Sequence, residues 1–485
     1  MADQSPEISL QDVLAELRDL RTEVVDLRAE NARLKVENQG LKDRVRRLED
    51  ELISARRASK RQAAPHRRDK RVPEGERKSS GRKPGHEATF KEPPAEIDRV
   101  VETPLSGCPC CGGVLIDIQE HAQYILDLPD VRPVVEKHIT YSGHCSRCGV
   151  RRRSRSPLLP STAAGAAGTM IGPYAGALAT YLRTRLGAPF AKIADLFKDV
   201  LRLPLSPAGV LSVVKRAAES LEPTYQDLER LIRKSPVAHA DETGWRIAGE
   251  SAWAWVFTAP HVTYFTIARR RGHEVVLEVL GSEFCGCLVT DFMAAYDKVP
   301  AGTKAKCLAH FIRTLKEVEA LQTRGGVRFP RAVRRLFQDA IALGKVRGEL
   351  EAGEFEGLRS ELERRLDALL EWRLTEAKNR RIQKRIRKHR QHLLTFLYLD
   401  YVEPTNNLAE RQIRPLVLQR KISAGNRSEW GAHLHSVLMS VYATCRQSGR
   451  DFIDAVRAAL QSGGEAQTVS VPPGRCQLDL PIDDN

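Results

Sequence analysis

Apolar residues in the first fifty-odd positions recur with a strict period of seven. Leu20, Leu27, Leu34, Leu41 and Leu48 are spaced by heptads, with Val13 one heptad earlier. Three positions before each stand Leu10, Leu17, Val24, Asn31, Asn38 and Val45, and Leu52 continues that second series. With the leucines at d and the second series at a, the repeat runs for about six heptads, beyond the three or four that define a coiled coil. Asn31 and Asn38 at successive a positions are costly unless they pair across a seam, a device that fixes register and oligomer state. The pattern predicts a parallel coiled coil over residues 8–53, pairing the chain as a homodimer or larger oligomer. The alternative is one amphipathic helix packed on its own protein; the charged residues on the remaining faces speak against it.

Further along the chain the period changes repeatedly. Residues 54–98 have few apolar side chains and read as a basic disordered linker. Residues 157–234 are predicted helical. Pro189 to Val200 and Ser206 to Ala218 form two helices joined by Leu203-Pro204-Leu205, with Ser206 as N-cap and Pro207 at the first helical position. In outline this is a helix-turn-helix, although plain helical packing fits equally well. Period-2 segments follow: a strand ending at Asp241, then Ala252 to Phe257 and Val262 to Ala268 as a meander. Gly272 to Leu280 fits a short helix, Cys285 to Asp291 a buried strand, and Lys304 to His310 a further short strand. A charged helical insertion spans about 322–400, and Glu403-Pro404-Thr405-Asn406 opens another helix, with Asn406 or Thr405 as its cap. Residues 235–445 thus form one α/β domain, and 446–485 a C-terminal helix and disordered tail.

Charge narrows the function. The 485-residue chain carries a formal net charge of +15, which favours a polyanionic partner. Twelve Lys or Arg lie between Ser54 and His86 against Asp69, Glu74 and Glu76, a tether that would hold DNA phosphates in a salt-dependent way. A membrane partner is disfavoured, since no apolar run reaches spanning length, and Met1 to Leu10 lacks the layout of a secretory signal.

Five of the ten cysteines fall between Cys108 and Cys148. Cys108 and Cys111 form one C-x-x-C knuckle, Cys145 and Cys148 a second, and each is followed by Gly. Four thiolates in two such pairs suit a tetrahedral structural Zn²⁺, and predict a zinc ribbon over residues 99–156. The β-like segments Tyr124 to Leu128 and Val134 to Tyr141 are expected to fill the long interval between the knuckles. Arg151, Arg152 and Arg153 give the module an electropositive edge.

The remaining chemistry is carboxylate chemistry. Asp241 and Asp291 end two predicted strands and Glu410 lies one turn into a helix. Two strand-end acids and a helix acid in that order match the arrangement of an RNase-H-like nucleotidyl transferase. Carboxylates of this kind hold two Mg²⁺ ions about 4 Å apart, for which Mn²⁺ substitutes, around a reacting phosphodiester. Glu242 neighbours Asp241 on a strand and is expected to point to the opposite face.

The chain resembles transposases of the insertion-sequence-sixty-six family, the TnpC-type large subunit. The likeness rests on His239 to Trp245, Thr290-Asp291, Cys307-Leu308-Ala309-His310, Asn406 to Arg411, Arg414-Pro415 to Arg420-Lys421, and Gly425-Asn426 to Gly431-Ala432. The zipper, the basic linker and the cysteine knuckles stand before them in the family's order, so it covers roughly residues 10 to 460. It implies that Asp241, Asp291 and Glu410 are a DDE triad for metal-dependent DNA strand cleavage and transfer. It further implies terminal inverted repeats and target DNA as partners, accessory proteins from the same element, and a cytoplasmic, nucleoid-associated location in a bacterium. Arg313, Arg411, Arg414, Arg420 and Lys421 are candidate DNA contacts, with His310 near the metals; a solvated face, and for His310 a structural role, are the competing readings. Two other function classes stay open on the sequence: a dimeric zinc-containing DNA-binding regulator without catalysis, and a metal-dependent nuclease.

Overall fold

The computed structural model describes residues 94–104, 107–154, 171–322 and 325–462, together with residues 21–24, 30, 31, 33, 34, 37–41, 44 and 45 of the heptad segment. The chain divides into two units, residues 1–88 and 89–485. Every described heptad residue is helical, and Val24, Leu34, Leu41 and Val45 are exposed on this single chain. The rest of the predicted coiled coil, most of the basic linker and the tail beyond residue 462 lie outside the described residues.

The second unit begins with an extended stretch that holds both cysteine knuckles. Its only strands among the described residues are β1 (Ser142–His144) and β2 (Arg151–Arg153), an antiparallel pair that flanks the second knuckle. The strands expected at Tyr124 to Leu128 and Val134 to Tyr141 are not formed; residues 114–141 carry no regular structure and are largely exposed. Ile125, Leu128, Val134 and Val135 have no apolar surface opposite them, so burial does not drive pairing there. In modules of this size much of the folding energy is metal-binding energy.

Four helices follow: α1 (Pro173–Leu186), α2 (Phe190–Asp199), α3 (Pro207–Ser220) and α4 (Glu222–Arg233). Ser206 caps α3 as expected, its Oγ accepting from the Gly209 amide at 3.0 Å. The sheet comes next, built from β3 (Val237–Ile247), β4 (Glu250–Ala259), β5 (Val262–Ala268), β6 (Cys287–Thr290) and β7 (Thr303–Lys306). Its order is β5-β4-β3-β6-β7. The first three strands form an antiparallel meander; β6 and β7 add in parallel on the other side of β3. Helix α5 (His273–Leu280) carries the crossover from β5 to β6, and the short α6 (Ala294–Asp297) follows β6.

Lys304 to His310 is not one strand. β7 stops at Lys306, Cys307 occupies the N-cap position, and α7 (Leu308–Ala320) contains His310 in its first turn. The insertion then supplies α8 (Arg328–Lys345), α9 (Ala352–Leu370) and α10 (Ala377–Leu393). The chain returns through α11 (Asn407–Ser423), α12 (Glu429–Gln447) and α13 (Phe452–Ser462).

Two cores lie on the two faces of the sheet. Successive side chains of a strand point to opposite faces, and β3 and β6 divide accordingly. Ala238, Ala240 and Leu288 join a large core with α1–α5 and α11–α13. Val237, Cys287 and Val289 join a second core with α7–α10. Helices α1–α4 therefore share their core with the sheet, and α8–α10 build the face that covers its other side. The free edge of β5 is protected by α12: the Thr263 and Phe265 amides donate to Thr444 Oγ1 at 3.0 Å and Ser440 Oγ at 2.8 Å. Those two residues are four apart and lie on one helical face, which removes a template for edge pairing.

Candidate active site

The register of β3 against β6 sets the site. His239 lies opposite Val289 in the parallel pair, so two more residues bring Asp241 and Asp291 level on neighbouring strands and onto the same face. Asp241 lies within β3, while Asp291 follows the last residue of β6. Each carboxylate is oriented locally. Asp241 Oδ1 accepts from the Glu242 amide at 2.9 Å, and Asp291 Oδ1 from the Met293 amide at 2.8 Å.

Asp241 is electrostatically uncomfortable. Burial pushes its pKa up to about 7; the charges of Glu242, Asp291 and Glu410 add to the shift, against the opposing pull of the Glu242 amide. Both Asp291 and Glu410 thus act on Asp241, and all three acids share one electrostatic environment.

Glu242 points away from this group, as the strand alternation requires. Its carboxylate accepts from Tyr296 Oη at 2.7 Å and pairs with Arg271 at 2.8 Å, and its side chain is only 3% exposed. Burial still raises its pKa, and those two bonds oppose the rise.

Glu410 comes from the first turn of α11. Its Oε1 is buried without a hydrogen bond and faces His310 Nδ1, likewise without one, at 3.5 Å. The entry to α11 is fastened to β3 by Asn406. That side chain meets His239 Nδ1 at 3.1 Å and donates to the Ala240 carbonyl at 2.8 Å. Asn406 holds the N-cap position but makes no side-chain cap bond. The expected capping role yields to this link because both ends of its amide are engaged by the strand. Burial lowers the His239 pKa to about 4, so the ring is neutral at pH 7.

Lys306 and Asp297 were not apparent from the sequence. The Lys306 ammonium is buried on β7 and donates to the Asp291 carbonyl at 3.0 Å, Thr290 Oγ1 at 3.2 Å and Asp297 Oδ1 at 3.0 Å. Lys388 of α10 reaches the other Asp297 oxygen at 2.6 Å. The insertion is thereby clamped to the loop carrying Asp291. Strand β7 has a half-buried pattern in which a lysine marks nothing by itself.

The candidate DNA contacts divide. Arg313, Arg411, Arg414 and Lys421 are exposed, as are Arg151, Arg152 and Arg153 on β2. Arg420 instead turns inward, donating to Thr243 Oγ1 at 3.1 Å and to the Gly244 carbonyl. Its guanidinium completes the backbone hydrogen bonding of the β3–α11 junction, a role that removes it from the solvent face. Gly425 and Asn426 close the same junction. Asn426 exchanges backbone hydrogen bonds with Arg246 and Ala248 at 2.9 Å each, and its Oδ1 accepts from Trp245 Nε1 at 2.7 Å. Gly425 has a φ of 135°, and a Cβ there would overlap the Arg246 carbonyl.

Both cysteine knuckles adopt the same turn. The Gly112 amide donates to the Cys108 carbonyl and the Gly149 amide to the Cys145 carbonyl, each at 2.8 Å. Gly112 and Gly149 have φ of 71° and 69°, a region L side chains avoid. Amide hydrogen bonds from Cys110 and Cys111 lower the Cys108 pKa, and those from Cys148 and Arg147 lower that of Cys145. Among the described residues, however, the four sulfurs do not converge into one coordination set. Convergence is found instead for Cys307, His310 and Glu410, whose ligand atoms all lie within 4.8 Å of one another.

No described helix is long and apolar enough to cross a membrane. Comparison with known proteins bears on both parts of the chain. Residues 106–149, which include all four knuckle cysteines, match the zinc-finger binding domain of transposase IS66, and this supports structural Zn²⁺. An uncharacterized protein, y4hP, of Sinorhizobium fredii is 26% identical over 405 residues, covering 73% of this chain and 70% of its own. Residues 168–434 match the Transposase IS66 family, spanning helices, sheet, insertion and all three candidate acids. The chain belongs to the IS66 transposase family.

Proposed function

We propose that this protein is a DDE transposase that cleaves DNA at the ends of its element and joins them to target DNA. The observation that carries this reading is the β3–β6 register, which brings Asp241 level with Asp291, with Glu410 of α11 near enough that its charge, after those of Glu242 and Asp291, acts on Asp241. Hard divalent ions bind carboxylate oxygen sets of this kind. The meander followed by two parallel strands supports an RNase-H-like core, with acids on adjacent strands and a third on a helix crossing the sheet. Asp241, Asp291 and Glu410 would hold Mg²⁺, or Mn²⁺ in its place, and the unbonded Oε1 of Glu410 fits that role. When bound, a pair of such ions stabilises charge on the attacking and leaving oxygens of an in-line displacement.

The chain's own residues supply position. The Glu242 and Met293 amides aim the two aspartates, Asn406 fixes the start of α11 to β3, and Lys306 holds the Asp291 peptide. In the first step water attacks phosphorus at the element end and the P–O3′ bond breaks, leaving a 3′-hydroxyl and a 5′-phosphate. In the second, that hydroxyl attacks a target phosphodiester and expels a new 3′-hydroxyl, so bond number is conserved. Exposed Arg411, Arg414, Lys421 and Arg313 would carry the DNA backbone, and the Cys108–Cys148 module with Arg151, Arg152 and Arg153 a second contact. Pairing through residues 8–53 would bring two ends together.

The test is strand transfer in vitro with purified protein, labelled element ends, a target plasmid and Mg²⁺ or Mn²⁺. Joined products from the wild type and none from Asp291→Asn support the assignment. Cleavage without joining, even with the element's accessory proteins, favours a nuclease. DNA binding without metal-dependent chemistry leaves the regulator.

A further inference from the structure

The Cys307, His310 and Glu410 cluster is not required by an all-oxygen Mg²⁺ site, and its chemistry is different. Cys307 follows the last residue of β7 and holds the N-cap position of α7, so its Sγ sits at a helix N-terminus. It accepts from the Asn406 amide at 3.1 Å. Amide-to-sulfur bonds of this kind favour a thiolate, the form that binds metals.

The geometry on the other side is equally specific. His310 Nδ1 and Glu410 Oε1 are both buried, lie 3.5 Å apart and make no hydrogen bond. In a tetrahedral site with Zn–N and Zn–O bonds of about 2.0–2.1 Å, two ligand atoms are separated by about 3.3 Å. The observed spacing is therefore close to the edge of a coordination tetrahedron. A helix cap accounts for the sulfur and an ion pair of His310 with Glu410 for the other two atoms; a cation accounts for all three ligand atoms lying within 4.8 Å of one another.

We propose that Cys307, His310 and Glu410 form a second cation site for a thiophilic divalent ion of the Zn²⁺ class, with a fourth position open. Thiolate and imidazole select such ions over Mg²⁺. The site stands on its own three side chains, whereas its consequence rests on the transposase reading. Because Glu410 belongs to both sets, Zn²⁺ held by Cys307 and His310 would compete for the acid that the Mg²⁺-dependent reaction needs.

The measurement is metal content of the full-length protein after equilibration against buffered free zinc, for wild type, Cys307→Ser, His310→Gln and Asp241→Asn. Wild type and Asp241→Asn should each carry about one zinc more than Cys307→Ser or His310→Gln, beyond the one held by the cysteine knuckles. Reconstitution with Co²⁺ should leave a thiolate-to-metal charge-transfer band in the wild-type minus Cys307→Ser difference spectrum. Unchanged thermal melting of His310→Gln separates ligand loss from misfolding. Equal zinc in the wild type and both ligand variants, or no difference band, overturns the site. If it is present, Zn²⁺ should inhibit strand cleavage by the wild type and spare Cys307→Ser. Absence of cleavage under all conditions would count against the transposase reading and leave the metal count to decide the site.

Discussion

Asp241→Asn should make the metal-free protein more stable at neutral and alkaline pH while abolishing its chemistry. The folded pKa of Asp241, about 7, stands above the ordinary value of 3.8. The folded state therefore binds more protons than the unfolded state between those values, and stability falls as pH rises through that window. Each pKa unit corresponds to about 1.36 kcal/mol, so the cost above pH 7 is at most about 4 kcal/mol. Asparagine keeps the Oδ1 that accepts from the Glu242 amide and removes only the charge. Melting in EDTA can be followed by tryptophan fluorescence, because all five tryptophans of the chain, Trp245, Trp253, Trp255, Trp372 and Trp430, lie in the sheet domain and its helices. The variant should melt several degrees above the wild type at pH 8, at roughly 2–4 °C per kcal/mol for a domain of this order of size. The gap should shrink towards zero as pH falls to 4. Adding Mg²⁺ should narrow it at pH 8, since an ion bound only by the folded wild type stabilises it. A gap that is absent at pH 8, or that does not change with pH, would refute the electrostatic account of this site.

Three further outcomes follow from particular contacts. Asn406→Ala strips partners from buried His239 and from the Ala240 carbonyl; at about 1–3 kcal/mol for each unsatisfied group, the melting temperature should drop by several degrees, and strand cleavage should fall with it. Arg414→Gln should weaken DNA binding and flatten its salt dependence by about one unit of log–log slope without changing melting, whereas Arg420→Gln should lower the melting temperature first; fluorescence anisotropy beside calorimetry separates the two, and identical behaviour would contradict the inward placement of Arg420. Deletion of residues 8–53 should convert the protein to a monomer by light scattering and abolish pairing of two DNA ends on a native gel, with zinc content unchanged.

Much of the molecule is legible in the residues. The seven-residue period marks a helix at every described heptad position, the period-2 segments mark β3, β4 and β5, and the knuckle spacing marks a zinc module that the family match supports. The acids were legible in type and order, but the strand expected to end at Asp241 runs on to Ile247, because residues 242–247 continue the antiparallel pairing with β4, so Asp241 lies within β3. Alternation along β3 also put Glu242 on the other face. Those properties are short-range, and the chain encodes them in consecutive residues.

What depended on the tertiary structure was every relation across a long separation. Asn406 leaves its capping role because β3 presents His239 and Ala240 to it. Arg420 leaves the surface because the Gly244 carbonyl needs a donor. Lys306 and Lys388 meet at Asp297 only once the insertion folds back on the sheet. The strand expected through His310 stops at Lys306, and that turn into α7 sets Cys307 and His310 beside Glu410, about a hundred residues later in the chain. Periodicity reports which face of an element is apolar. Which polar groups then meet is decided by the requirement that buried donors and acceptors find partners, and that requirement acts only after the elements have packed.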